Sequence, residues 1–159
     1  MNLQLRHVPI SSTGMLIRRP LPEVFEAFID PHVTANFWFT KGSGRLEVGK
    51  TVQWTWEMYG FTIDVTVKAI EPNERILIDW PGYTSATTVQ WTFAPFEDNA
   101  TFVSITESGF LGDGDEVMKQ VAGSTQGFSL VLAGAKAFLE HGIQLNLIAD
   151  RYPKGLGQD

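Results

Sequence analysis

Cysteine is absent from the 159 residues, which removes disulfides, thiolate metal sites and a cysteine nucleophile together. Positive charge is short as well: 12 lysines and arginines against 18 acidic residues leave a net charge of −6 and a pI near 5.0. That balance argues against nucleic acid and against an anionic membrane surface as partners. Like charges never run long enough to make an interaction tail. No stretch approaches 18 apolar residues, and the N-terminus MNLQLRHVPI lacks the apolar core of a signal peptide. The expected location is therefore the cytoplasm, with no membrane partner. Histidine is scarce too. His7, His32 and His141 lie far apart, none on an inward strand position, and no HExxH spacing occurs, so a metal site has little support. Gly42-Ser43-Gly44 lacks the helix and lysine of a phosphate loop, and no serine sits in a G-x-S-x-G turn. Nothing here implies a cofactor.

What the chain does have is aromatic bulk. Aromatic residues make up 12% of it, with five tryptophans and 11 phenylalanines, which points to a large aromatic interior or pocket. Its 43% hydrophobic and 19% charged content is that of an ordinary globular protein. The length suits a single domain over 1–159, burying roughly 68–70% of its unfolded surface.

The strongest local pattern is DGDEVMKQVAGSTQGFSLVLAGAKAFLEHG at 113–142. Asp113 stands three residues before Glu116, a capping-box start, and Gly142 follows the run as a C′ glycine. Val117, Val121, Phe128, Val131, Leu132, Ala135, Phe138 and Leu139 fall on one arc, while Lys119, Gln126, Lys136 and Glu140 take the opposite side. The spacing predicts an amphipathic helix of about 40 Å, enough to cross a sheet of about seven strands. Gly123, Gly127 and Gly134 share one stripe at its border, which reads either as a tolerated bend or as close approach by another backbone.

Upstream, residues 8–18 carry a weak strand signal. Pro20 and Pro22 introduce a helix to Ile29, and Asp30-Pro31 ends it and caps a second short one through Val33 and Phe37. GSG at 42–44 reads as a turn. The period then changes to two. Val52, Trp54, Trp56 and Met58 share one parity; so do Phe61, Ile63, Val65, Val67 and Ala69, then Ile76, Ile78 and Trp80, then Val89, Trp91 and Phe93, then Val103 and Ile105. Five alternating strands joined by short polar turns predict an antiparallel meander covered on one face. The tail at 143–159 has no firm assignment; Leu145 and Leu147 are expected to pack back, with residues beyond Pro153 loose.

One apolar sheet face and one long apolar helix face predict an α+β fold in which the curved sheet wraps the helix. The order strand, two short helices, strands, long helix resembles the helix-grip fold of the START-like (SRPBCC) superfamily over roughly residues 10–142. RRPLPEVFEAFIDPHVTANFW at 18–38 is similar to the family's opening. SITESGF at 104–110 is similar to its last strand, and QGFSLVLAGAKAFLEHG at 126–142 resembles the closing helix of the branch related to the C-terminal domain of the activator of heat shock protein 90 ATPase. Phe128 stands where that branch commonly has Trp, and these residues leave no room for the additional N-terminal domain of the eukaryotic activators. The resemblance implies a curved seven-stranded antiparallel sheet around a long C-terminal helix, with two short helices after the first strand and a cavity between sheet and long helix.

Three function classes follow. The first is a non-catalytic domain holding an apolar or aromatic small molecule, with Trp54, Trp56, Met58, Ile78, Trp91, Ile105, Glu107, Phe128 and Leu132 as candidate ligand contacts. The same residues read equally as solid core. The second is an enzyme resembling polyketide cyclases or hydrolases. The third is a module acting on a chaperone, with a homodimer as a further partner. The inward set is nearly all apolar, which favours binding over catalysis. Glu107 is the exception: it shares parity with Val103 and Ile105, and it is the only acid or base the enzymatic class could use. If the strand instead ends by Thr106, Glu107 reaches solvent at the rim. Buried, it would have to be hydrogen-bonded, paired, wet or protonated.

Overall fold

The computed structural model describes residues 2–82, 85–154 and 156. Strand β1 (Ser11–Ile17) leads into α1 (Leu21–Ile29) and α2 (Pro31–Thr34). Strands β2 (Lys41–Gly42), β3 (Thr51–Trp56), β4 (Phe61–Glu71), β5 (Arg75–Pro81), β6 (Ala86–Phe96) and β7 (Ala100–Ser108) follow, then α3 (Gly114–His141) and α4 (Leu147–Arg151). The seven strands form one antiparallel sheet in the order β1-β7-β6-β5-β4-β3-β2. α1 and α2 thus carry the chain from one edge of the sheet to the other. The sheet curls around α3, giving the helix-grip architecture.

Local chemistry explains the boundaries. Pro22 sits in the first turn of α1, and the Asp30 side chain accepts the His32 N–H at 2.9 Å to start α2. Asp113 accepts the Glu116 N–H at 2.9 Å while Glu116 accepts the Asp113 N–H at 3.0 Å, completing a capping box. Gly142 closes α3 with a φ of 67°, where glycine carries no Cβ penalty.

Four sequence expectations need correction. Gly42 belongs to β2 and pairs with Trp54 rather than lying in a turn; a two-residue strand of lysine and glycine has no alternation to betray it. Residues 57–60 form a turn, so β3 ends at Trp56 and Met58 faces solvent, 40% exposed. A bulge between Val67 and Ala69 reverses the parity of β4: Ala69 pairs with the outward Leu77, and Ile70 turns to the core beside Ile76. In the tail, a short helix forms where no element was assigned; Leu145 is exposed and Ile148 packs on the core instead. The expectation for residues beyond Pro153 falls largely on 155 and 157–159, outside the described residues.

One flank of α3 is closed against β1. Ser11 and Ser124 hydroxyls meet at 2.7 Å, and those of Thr13 and Ser129 at 2.8 Å. Lys136 Nζ donates to the Leu16 carbonyl at 2.8 Å, and the Arg18 N–H donates to Glu140 Oε2 at 2.8 Å. The last two bonds occupy backbone groups of the edge strand and the residue just after it, which would otherwise need water or another strand.

Candidate functional site

Between sheet and α3 the interior divides in two. Near α1 it is solid. Phe25 and Phe93 ring centroids lie 5.1 Å apart, Phe28 and Phe37 5.5 Å, and Phe28 and Trp91 6.2 Å. Gly134 makes this closeness possible, because a Cβ there would stand 3.2 Å from the Phe37 carbonyl oxygen. The close approach anticipated for the glycine stripe is real at Gly134, and the partner is the segment after α2. Trp91 Nε1 is the one buried side-chain polar atom without a hydrogen-bond partner among the described residues.

Toward α4 the space opens into a cleft of about 510 Å³. Trp56, Phe61 and Trp80 wall it from the sheet, Phe128 from the helix and Trp38 from behind. Trp80 and Phe128 stack at 5.6 Å with planes 27° apart, and Trp56 stacks on Phe61 at 5.1 Å. On this side α3 presents Gly123 and Gly127, and a Cβ at Gly127 would meet nothing within 4 Å. Close approach is therefore wrong for Gly127: it opens the cleft instead. α4 covers the mouth with Ile148 and Arg151, and Tyr152 follows. The Tyr59 hydroxyl donates to the Ile148 carbonyl, and Arg151 Nε donates to Gln126 Oε1 at 2.8 Å. Burial raises the Tyr59 phenol above its ordinary pKa, so it remains a donor.

Glu107 lies within the cleft wall and is only 6% exposed. β7 runs on to Ser108, so the carboxylate points inward rather than out at the rim. Oε2 accepts the Trp80 indole N–H at 3.0 Å and the Thr87 hydroxyl at 2.5 Å. Oε1 accepts the Ser124 hydroxyl at 2.6 Å. Since Ser124 spends its one proton there, Ser11 must be the donor in the Ser11–Ser124 pair. Every one of these donors is neutral, and among the described residues no cationic side chain forms an ion pair with Glu107.

Of the nine residues singled out from the sequence, Trp56, Glu107 and Phe128 line the cleft. Trp54, Ile78, Trp91, Ile105 and Leu132 are buried behind it as core, and Met58 is on the surface. The sequence reading missed Trp80 and Phe61 as site residues although both carried the inward parity; it missed Ser124 and Arg151 because their roles depend on how α3 and α4 dock. His7, His32 and His141 are exposed. Among the described residues no three His, Asp or Glu side chains cluster as metal ligands, and no helix is long and apolar enough to cross a membrane.

The family model described as Activator of Hsp90 ATPase homolog 1-like protein matches residues 18–140. The chain belongs to this family. Its Activator of Hsp90 ATPase homolog 1-like fold is close to that of protein SSP2350 from Staphylococcus saprophyticus, with 32% identity, 86% of this chain and 96% of that chain covered, and a TM-score of 0.73. The Aha1 dimer from Colwellia psychrerythraea is 22% identical over 84% of this chain and 98% of that one, with a TM-score of 0.71. DynU16, a putative protein in the dynemicin biosynthetic locus, is 24% identical over 85% of this chain and 48% of that one, with a TM-score of 0.70. The last two likenesses speak for the fold alone. No curated protein matches the chain.

Proposed function

We propose that this family member is a small-molecule binding domain that holds an apolar or aromatic ligand in the cleft between β3–β5 and α3. The observation carrying this reading is the cleft itself, about 510 Å³ and walled mainly by aromatic rings, within the usual range for ligand sites of roughly 300–1,000 Å³. Catalysis is given little to work with. Among the described residues Glu107 is the one carboxylate in the wall, its oxygens already hold three hydrogen bonds, and no histidine or lysine lines the cleft with Ser124 to activate it. A polyketide-cyclase-like or hydrolase-like reaction would have to use Glu107 as its acid or base. Action on a chaperone rests on the family's description only, and homodimerisation on the description of one distant relative.

The test is titration of the native protein with the neutral fluorophore N-phenyl-1-naphthylamine, following probe emission and tryptophan quenching. One saturable site is expected, lost in Gly127→Leu, whose side chain would enter the cleft. Probe binding that appears only under partly denaturing conditions would remove the reading. Native mass spectrometry of gently purified protein then identifies any compound that travels with it.

A further inference from the structure

We infer that the ligand is an amine: a protonated ammonium on an aromatic or alkyl body, with the ammonium on Glu107 and the body among the rings. This rests on the binding reading above and names its ligand class. A carboxylate 6% exposed in an apolar wall loses most of its hydration, and neutral donors return only part of what it loses. Among the described residues, neutral donors are all that Glu107 has. Trp80, Thr87 and Ser124 supply three hydrogen bonds, while a carboxylate's two oxygens offer about four acceptor positions. Among the described residues one position on Oε1 is therefore unfilled, on a side chain that lines the cleft.

The surroundings favour a cation over a neutral hydroxyl in that position. Trp80 meets the carboxylate with its N–H edge, which Oε2 shares with the Thr87 hydroxyl oxygen, and its ring stacks on Phe128 and lies 6.0 Å from Trp38, so the carboxylate is set in a wall of rings. An ammonium N–H on a carboxylate makes a charge-assisted bond, roughly twice as strong as that of a neutral hydroxyl, and more so where water is excluded. The only basic residue of the lining among the described residues, Arg151, is held at the mouth by Gln126 and by the ring of Tyr152, 4.5 Å from its guanidinium carbon. It supplies no counter-charge to Glu107. An anionic ligand would instead meet an uncompensated negative charge.

Three probes of one shape decide it: 1-naphthylmethylamine, 1-naphthalenemethanol and 1-naphthoate, titrated calorimetrically into the native protein near neutral pH at low salt. The amine is expected to bind about ten-fold or more tighter than the alcohol, with the acid weakest. Glu107→Gln should remove that preference, bringing the amine's affinity down to about that of the alcohol. Should this variant fail to fold, Ser124→Ala frees a further acceptor position and keeps the carboxylate; the amine preference should then hold or grow. Equal binding of all three probes by the native protein, or a preference for the alcohol, would overturn the amine assignment and leave the aromatic cleft standing as a binding site. Binding of none would overturn both. A preference lost in a folded Ser124→Ala would also overturn it.

Discussion

Phe28 and Trp80 both point into the space between sheet and long helix, yet one is locked in solid core and the other walls an open cleft. Chemistry at the sheet does not separate them, since both halves are lined by large aromatics. The difference lies in what faces them. Phe28 comes in on α1, which brings five buried residues into that half, and Gly134 lets the backbone at Phe37 come against α3. Over Trp80 the long helix withholds side chains at Gly123 and Gly127, and the cover is a five-residue helix with no buried residue of its own. The cavity thus arises from absent side chains and a light lid. Polar residues do not create it.

The comparison is broken most directly by cutting one ring from each half. Phe28→Ala leaves a hole in close-packed core and should cost about 3–5 kcal/mol in urea unfolding. Phe61→Ala trims a ring already 45% exposed at the cleft and should cost about 1 kcal/mol or less. Equal costs would mean that the two halves are packed alike.

The two glycines sharpen it further. Gly134→Leu forces a side chain against the Phe37 backbone and should destabilise by about 1–3 kcal/mol or more. Gly127→Leu meets open space and removes a helix-weakening glycine, so stability should hold or rise by up to about 1 kcal/mol. A Gly127→Leu as damaging as Gly134→Leu would put a close neighbour where the structure has none.

Much of this was legible in the sequence, and the limits have physical reasons. Period-two patterning located β3–β7, and the capping box with its terminal glycine bounded α3, because those signals are local. The bulge in β4 was not legible: one extra residue reverses parity without changing composition. The glycine stripe could be seen but not interpreted, since Gly127 and Gly134 differ only in what docks opposite them. Glu107 could be assigned to the inner face, but its three donors come from β5, β6 and α3, and only the fold brings these together. The tail gave no signal because a single helical turn with one packed isoleucine has no periodicity to read.

A third prediction concerns the closed flank of α3, the counterpart of its open one. Glu140 sits at the helix C-terminus, where a negative charge is disfavoured by the dipole, and its side chain is only 10% exposed. Burial alone would raise its pKa, but the Arg18 N–H, Lys136 and His141 together hold it below the ordinary 4.5. A depressed folded value means that stability is present above the unfolded pKa and is lost as pH falls through the lower, folded one. Glu140→Gln should therefore cost about 1–2 kcal/mol at neutral pH. The gap from the native protein should close on acidification below about 4.5. A gap that is constant with pH would mean that the carboxylate's charge plays no part in closing this flank.

The smallest effect is expected at the lid. Tyr59→Phe deletes the one hydroxyl that reaches the Ile148 carbonyl while keeping the ring, which lies parallel to Phe61 at 6.4 Å. Because burial raises the phenol above its ordinary 10.0, the native residue donates throughout the neutral range. Removing the donor should weaken α4 locally by about 0.5–1.5 kcal/mol. Such a change belongs to a local opening and leaves the global unfolding midpoint almost unmoved. Amide exchange at 147–151 should quicken several-fold, and the neutral probe should leave the cleft faster with little change in its association rate. If exchange at α4 is unaltered, the lid is held by Ile148 packing and by Arg151 on Gln126, and Tyr59 is only part of the wall.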